Sequence, residues 1–251
     1  MRNGSTLGPG IAHKGLVLPA IHKAVVDGVS FHANSKVRDG KTALRDPAGE
    51  VVIKSGSYSG KLGGLVTKGW WKGFPIYTLK LEERATCPRS CKQWLSCYGN
   101  NMPFAHRYRH GPDLEAAICR EVRDLARKHR RGFVIRLHDL GDFYSLGYVN
   151  LWIDMLRLYP ALHIFGYTAR QEFEADQISR AIDRAQRAWW PRFAIRWSDG
   201  DRQVRSTIAI EKVSDCPSDA IICPAQTGKT QRCGSCGLCW TTERRIAFLQ
   251  H

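Results

Sequence analysis

Between residues 112 and 198 the sequence alternates helix-like and strand-like stretches at intervals of about 30 residues, and no other feature constrains the fold as tightly. Asp113–Arg131 sets Leu114, Ala117, Ile118, Val122 and Leu125 on one helical face. Leu146–Leu158 does the same with Val149, Trp152, Ile153 and Leu156, and Asp176–Trp190 with Ile178, Ala181, Ile182, Ala185 and Trp189. Phe133–His138, Leu162–Thr168 and Phe193–Ser198 read as buried strands, with Thr207–Glu211 and Ala220–Cys223 as two short additional ones. Pro160 and Pro191 stop the helices before them. Strands joined by helices of this length run parallel through right-handed crossovers. The fold class is therefore α/β. A partial or complete βα barrel of TIM type is the expectation, and a doubly wound open sheet is the alternative. Residues 1–64 form an irregular, Gly-rich basic region with short β-like runs at Ala24–Val29 and Glu50–Ile53. Residues 65–251 are assigned to the barrel-like domain, where the stretch after Pro75 already alternates like a strand.

Chemistry in such folds sits at the carboxyl ends of the parallel strands. Those ends read Arg136-Leu137-His138-Asp139-Leu140-Gly141-Asp142, then Tyr167-Thr168-Ala169-Arg170, then Arg196-Trp197-Ser198-Asp199. Strand alternation puts His138 on the face of Arg136. A bland account has Asp139 and Asp142 capping the next helix and Arg170 paired at the surface. Polar residues at three successive strand ends favour a site.

Nine cysteines are many for a chain whose first residues carry no apolar export signal and which has no apolar run near the roughly 20 residues of a membrane span. A cytoplasmic location is expected, and in that reducing compartment cysteines more often bind metal than pair. One group is Cys87, Cys91 and Cys97. The other is Cys223 followed by Cys233, Cys236 and Cys239, with Cys216 just upstream. Cys119 lies on an apolar helical face and reads as core. The two C-x2-C steps of the second group let thiolates converge on one centre, as in the first ligands of a ferredoxin run, while tetrahedral zinc is the alternative there. The first group could fill three corners of a [4Fe–4S] cube, leaving one iron open or closed by a distant ligand such as Cys216. The eight thiols thus divide into two closed sites, or into one closed site, one three-thiolate site and a spare Cys216. Gly228-Lys229-Thr230 imitates the end of a phosphate-binding loop, but the required earlier glycine is replaced by Cys223.

Charge is uneven. Of a net +15, residues 1–131 hold +13, with 23 Lys and Arg against 10 Asp and Glu. This half is the candidate surface for a nucleic-acid partner. Its densest part includes Arg107, Arg109, Arg120, Arg123, Arg127, Lys128, Arg130 and Arg131, with Trp70, Trp71, Trp94, Tyr98 and Tyr108 as candidate stacking groups. The bland account is a solvated face kept for solubility.

The stretches Thr86-Cys87-Pro88 to Cys97-Tyr98-Gly99, Arg136–Asp139 to Gly141-Asp142-Phe143-Tyr144, and Cys223-Pro224 to Cys239-Trp240 resemble the phage gene product 88 family over about residues 65–245. Membership implies a viral source and a host-cytoplasm location. More distantly, the layout resembles radical S-adenosylmethionine (SAM) enzymes, in which a three-cysteine loop precedes a βα barrel and the open iron binds SAM. That resemblance implies Cys87, Cys91 and Cys97 as cluster ligands. It implies Asp142 at the place of the superfamily's Gly-Gly-Glu, and a site lined by Arg136, His138 and Asp142. Asp139, Tyr167, Arg170 and Arg196 would stand around the cofactor. The chain departs from the superfamily in its last cysteine gap of five residues, in placing Tyr98 after the third cysteine, and in lacking the Gly-Gly-Glu. The functional expectation is an iron–sulfur protein acting on or binding nucleic acid. The alternatives are a non-enzymatic, metal-stabilised nucleic-acid-binding module and an electron carrier.

Overall fold

Most of the strands expected from the sequence take their places in one sheet. The computed structural model describes residues 44–94, 97, 99, 102, 105–170, 176–199 and 204–250; Ala24–Val29 and Tyr98 lie outside them. Among the described residues the strands are β1 (Leu44–Arg45), β2 (Lys54–Ser55), β3 (Ile76–Lys80), β4 (Arg107–Tyr108), β5 (Phe133–Leu140), β6 (Leu162–Thr168), β7 (Phe193–Ser198), β8 (Ser206–Ile210), β9 (Ala220–Ile222) and β10 (Arg245–Leu249). The helices are α1 (Glu83–Thr86), α2 (Pro112–Lys128), α3 (Leu146–Leu158), α4 (Gln177–Trp189), α5 (Cys233–Cys236) and α6 (Leu238–Thr241). The main sheet has the order β2-β3-β5-β6-β7-β8-β10-β9, and β1 pairs with β4 apart from it. Only the β2–β3 pair of the main sheet is antiparallel.

Sequence and capping explain the helices. Pro112 opens α2 at a position where its missing N–H is not needed. The Ser145 hydroxyl accepts the Tyr148 N–H at 3.0 Å to start α3, and the Asp176 carboxylate accepts the Ile178 N–H at 3.0 Å to start α4. Helix capping is thus supplied by Ser145 and Asp176, which leaves Asp139 and Asp142 for other tasks.

All three long helices pack on one face. Phe133, Ile135, Leu137, Leu162, Ile164, Phe193 and Ile195 share a core with Leu114, Ile118, Val122, Val149, Trp152, Leu156 and Ile182. The alternate residues Val134, Phe165 and Ala194 face the other way, against Leu62, Val66, Trp71 and Trp240. Crossovers of one hand that step in one direction from β5 to β6 to β7 put their helices on the same side. A doubly wound sheet has crossover helices on both faces; here the second face is covered only by the segment from Leu62 to Trp71 and by the short helices α5 and α6.

A complete barrel is not formed by the described residues either. The edge strands β2 and β9 pair with β3 and β10, not with each other. Only residues 199–205 join β7 to β8, too few for a helix, and β8 begins where β7 ends, with Trp197 opposite Ser206. β10, which the sequence reading missed, then inserts between β8 and β9. Among the described residues no helix is long and apolar enough to cross a membrane.

Residues 44–64 join the same body. Val52 and Ile53 belong to the main core, and both their N–H groups donate to the Glu121 carboxylate on α2 at 2.8 Å. The Lys61 and Leu62 carbonyls accept the N–H groups of Cys233 and Gly234.

Candidate functional site

The first cysteine loop leaves β3 through α1 and lies over the carboxyl ends of the parallel strands. Buried charges strap it down. Arg107, itself fully buried, donates to the Glu83 carboxylate at 2.8 Å and to the carbonyls of Gly99, Met102 and Ala105 at 2.7–3.0 Å. Arg84 donates to the Trp94 carbonyl at 2.5 Å, and the guanidinium groups of Arg84 and Arg89 lie 5.0 and 4.8 Å from the Trp94 ring. The Lys92 ammonium reaches across to the Asp199 carbonyl beyond β7 at 2.9 Å. Burial raises the Cys87 thiol well above its usual range, with further upward pushes from Asp142, Cys97, Cys91 and Glu83. Burial first, then Cys97 and Asp142, takes Cys91 up to about 11. Cys97 is raised by burial and Glu83. Three thiols and Asp142 therefore share one electrostatic neighbourhood.

Asp142 stands where β5 and β6 emerge together. Its oxygens accept from the Phe143 N–H at 2.7 Å, the Thr168 hydroxyl at 2.8 Å and the Ala169 N–H at 2.7 Å. Its own N–H donates to the Thr86 hydroxyl at 3.2 Å, one residue before Cys87. Burial lifts its carboxyl to about 6 against these hydrogen bonds. Gly141 makes the approach feasible: its φ is +90°, and a Cβ there would meet Leu81 at 2.6 Å and the Thr86 hydroxyl at 2.8 Å. Arg170 donates to the Phe143 carbonyl at 2.6 Å and pairs with Asp176 at 3.3 Å, tying this exit to the start of α4.

On the inner face Asp139 is shared by Arg136 at 3.0 Å and Lys80 at 3.2 Å. The Arg136 guanidinium also lies 5.7 Å from the Tyr167 ring. His138 does not join them, contrary to the alternation argument. The β3–β5 register slips between Thr78, opposite Arg136, and Lys80, opposite Leu140, so β5 carries extra residues there. His138 turns toward the helices, 3.0 Å from the Tyr148 hydroxyl and 5.0 Å from the Phe143 ring centroid. Burial lowers its pKa to about 3. Gly166 lies opposite this distortion, where a Cβ would collide with the Leu137 carbonyl. Beside Lys80 a cleft of about 250 Å³ is lined in part by Lys54, Thr78, His106 and Tyr108. The Thr78 hydroxyl is buried there with no hydrogen-bond partner among the described residues.

The second cysteine group covers the inner face itself. Cys233 and Cys239 pack with Trp71, Trp240 and Phe165, and the Trp71 and Trp240 rings stack at 5.2 Å. The Tyr167 hydroxyl lies 2.9 Å from the Cys239 sulfur. Burial, Cys239 and Cys223 raise Cys233 to about 12, while Arg136 and Lys61 oppose the rise. Burial raises Cys239 as well, with Cys223 and Cys236 adding to it. Arg196 is fully buried and donates to the carbonyls of Leu238, Cys239, Thr242, Arg244 and Ser206, with no carboxylate partner among the described residues. Its guanidinium is taken up by backbone and by the loop of Cys239. Cys216 sits elsewhere, against Ile210, Ala220 and Ala247, and Cys119 lies at the edge of the main core.

Among the described residues no group of three or more His, Cys, Asp or Glu side chains is set to hold a metal ion. The donor chemistry of both groups nevertheless suits a cationic centre. Three half-buried thiols and Asp142 repel one another as anions, and a buried guanidinium with no hydrogen-bonded carboxylate among the described residues faces the other thiols. The basic region is redistributed too. Arg107 is buried, and so are Trp71, Trp94 and Tyr108, whereas Trp70 is 91% exposed. Sequence pattern did not single out Glu83, Arg84 or Tyr148, and it placed Thr86 and Thr168 only within longer motifs. The Glu82-Glu83-Arg84-Ala85-Thr86 run directly before Cys87 is the available signal for Glu83 and Arg84.

Fold and site define a class: an open, mostly parallel α/β protein with its three long helices on one face and two cysteine loops, one over the strand ends and one on the inner face. The sequence profile of gene product 88 matches residues 53–242, and the chain belongs to this phage protein family. No curated protein and no solved structure matches it.

Proposed function

We propose that the chain is an iron–sulfur protein built like a partial radical-SAM barrel, with a [4Fe–4S] cluster on Cys87, Cys91 and Cys97 and nucleic acid as its partner. The observation that carries this reading is the placement of the Cys87 loop against Asp142, whose N–H donates to the Thr86 hydroxyl one residue before Cys87 where β5 and β6 emerge. A cluster held by three thiolates supplies an open iron for the amino and carboxylate groups of SAM and a one-electron reductant. Asp142 has about four acceptor positions, of which three are used, so one remains for an amino group. Arg170 orients the Asp142 turn through the Phe143 carbonyl. Arg136 and Asp139 form the polar wall toward the cleft, with Tyr167 beneath. His138 is a positioning residue in this reading, acting through Tyr148, and Arg196 fixes the second loop. Cys223, Cys233, Cys236 and Cys239 hold a second cluster or a zinc ion that fastens the inner-face loop, and Cys216 is spare.

A second reading, a metal-stabilised nucleic-acid-binding module without catalysis, draws on the +13 half of the chain and the exposed Trp70.

Anaerobic purification with iron, sulfide and zinc counted per chain tests the cluster reading. Brown protein with iron and sulfide in equal number is expected, and colourless, iron-free protein overturns it. Cys91→Ser should keep its folded yield while losing iron, whereas Cys236→Ser should lose folded yield. A change in the electron paramagnetic spectrum of the reduced cluster on adding SAM supports catalysis. An unchanged spectrum selects the binding module.

A further inference from the structure

At the amino ends of β3 and β5, far from the cysteine mouth, the turn after α2 and the segment Gly73–Pro75 line an open cavity of about 360 Å³. Arg127, Lys128, Arg130 and Arg131 line it, and no carboxylate does. Cations in the last helical turn complement the helix dipole, but that effect fades beyond the final turn. Arg130 and Arg131 follow the end of the helix, so the dipole does not account for them. The acid nearby, Asp124, is shared by Arg123 at 3.5 Å and Arg127 at 3.8 Å. Arg130 and Arg131 have no ion pair among the described residues. Trp70 sits in the turn that leads into the cavity wall, closed by the Lys72 N–H to the Gly69 carbonyl. Its neighbour Trp71 is buried in the core, but Trp70 is left in water. An exposed indole three residues before Gly73, on the loop whose Gly73 lies against the Arg131 guanidinium, offers a stacking plane beside phosphate contacts.

We propose that this end of the molecule binds single-stranded nucleic acid, with phosphates on Arg127, Lys128, Arg130 and Arg131 and a base stacked on Trp70. The proposal rests on the nucleic-acid part of the reading above and not on the cluster part. The eight residues of β5 separate this end from Asp142 by about 25 Å. A bound strand is therefore anchored away from the mouth, and one long enough to reach the mouth has to wrap around the sheet. Nucleic acid is favoured over an anionic membrane because the lining is mostly cationic, with Phe74 and Pro75 as its apolar side chains.

Fluorescence anisotropy of the full chain with labelled oligothymidine and oligouridine, over a series of salt concentrations, tests it. The Arg130→Gln/Arg131→Gln double variant should weaken binding at least about tenfold and lower the slope of log affinity against log salt by about 1.4. Trp70→Ala should weaken binding about five- to hundredfold with the slope unchanged. That split is not expected of a merely solvated basic face. The side chains are at the surface, and unchanged circular dichroism and iron content confirm intact variants. Absence of oligonucleotide binding overturns the proposal. So does binding indifferent to Arg130 and Arg131, or indifferent to Trp70. Capture by phosphatidylserine vesicles but not by oligonucleotides overturns it in favour of a membrane. Colourless protein that still binds the strand through these residues would defeat only the cluster reading.

Discussion

The two cysteine loops are each pinned by a buried arginine, and the arginines differ in what neutralises them. Arg107 beneath the mouth loop has the Glu83 carboxylate at 2.8 Å. Arg196 beneath the inner-face loop has carbonyls only. The first clamp is electrically complete within the polypeptide, so the mouth loop can keep its shape whether or not its thiols hold anything. The second clamp leaves a desolvated positive charge with no hydrogen-bonded carboxylate among the described residues, facing Cys239 of its own loop and, more weakly, Glu243. A site that must open to a co-substrate suits the first design, and one that welds a loop to the sheet suits the second. Arg196→Leu is therefore expected to have the largest effect of any single change, about 3–5 kcal/mol in chemical denaturation, because five carbonyls lose their donor at once. Arg107→Leu alone should come close to it by stranding Glu83. The comparison is sharpened by a double variant, Glu83→Gln with Arg107→Met, which should recover part of that loss because both charges leave together. No single second change should rescue Arg196→Leu. Equal rescue in both loops would erase the distinction.

Gly166 lies between the two regions, opposite the distorted end of β5. Gly166→Ala is expected to cost about 3 kcal/mol, since the added methyl has to displace the Leu137 carbonyl in the middle of the sheet. Crystallisation or a thermal melt indistinguishable from the parent would show that β5 is straighter than described and that His138 faces the inner side after all.

The regions should also respond to pH with opposite signs. His163 packs against Trp71 and Phe74 on the inner-face side, and burial lowers its pKa to about 4. Unfolded histidine titrates near 6.5 and binds protons that the folded one refuses, so this contribution is lost as pH falls from about 6.5 toward 4. Asp142 at the mouth is raised to about 6, so its folded form takes up a proton first; that contribution is present below the unfolded value near 3.9 and fades as pH rises through 6. Denaturant midpoints of metal-free protein between pH 4 and 7 should therefore show His163→Leu removing a loss on the acid side, on the order of 2 kcal/mol, and Asp142→Asn removing a gain there. The same sign for both variants would contradict the assignment of burial as the main cause.

Much of this arrangement was legible in the sequence, and the illegible parts share a cause. Helical periodicity with stops at Pro160 and Pro191 placed α3, β6, α4 and β7 because those signals are local. The insertion of β10 between β8 and β9 was not legible, since an apolar run such as Ile246–Leu249 does not encode its neighbours. His138 was misdirected because alternation presumes a regular strand, and the register slip depends on β3, more than fifty residues away. Polar strand ends flagged Asp142 and Arg196 equally. What separates a residue with a spare acceptor position from one consumed by backbone is the set of groups arriving from positions 238–244, and no spacing rule reports that.

The mildest test addresses a contact that carries the mouth loop across to the far strands. Lys92 donates to the Asp199 carbonyl at an exposed position, so solvent competes for both partners and Lys92→Ala should cost at most about 1 kcal/mol. Its interest lies in what it does to opening. If the mouth loop is held by Arg84, Arg89 and Arg107 alone, amide hydrogen exchange in residues 87–94 should stay as slow as in the parent. If Lys92 is the latch, exchange there should rise severalfold while residues 233–241 keep their protection, because Arg196 and the carbonyls of Lys61 and Leu62 hold that loop from beneath. Faster exchange in both loops together would mean that they open as one unit, and the contrast between a mouth loop free to move and an inner-face loop fastened to the sheet would fail.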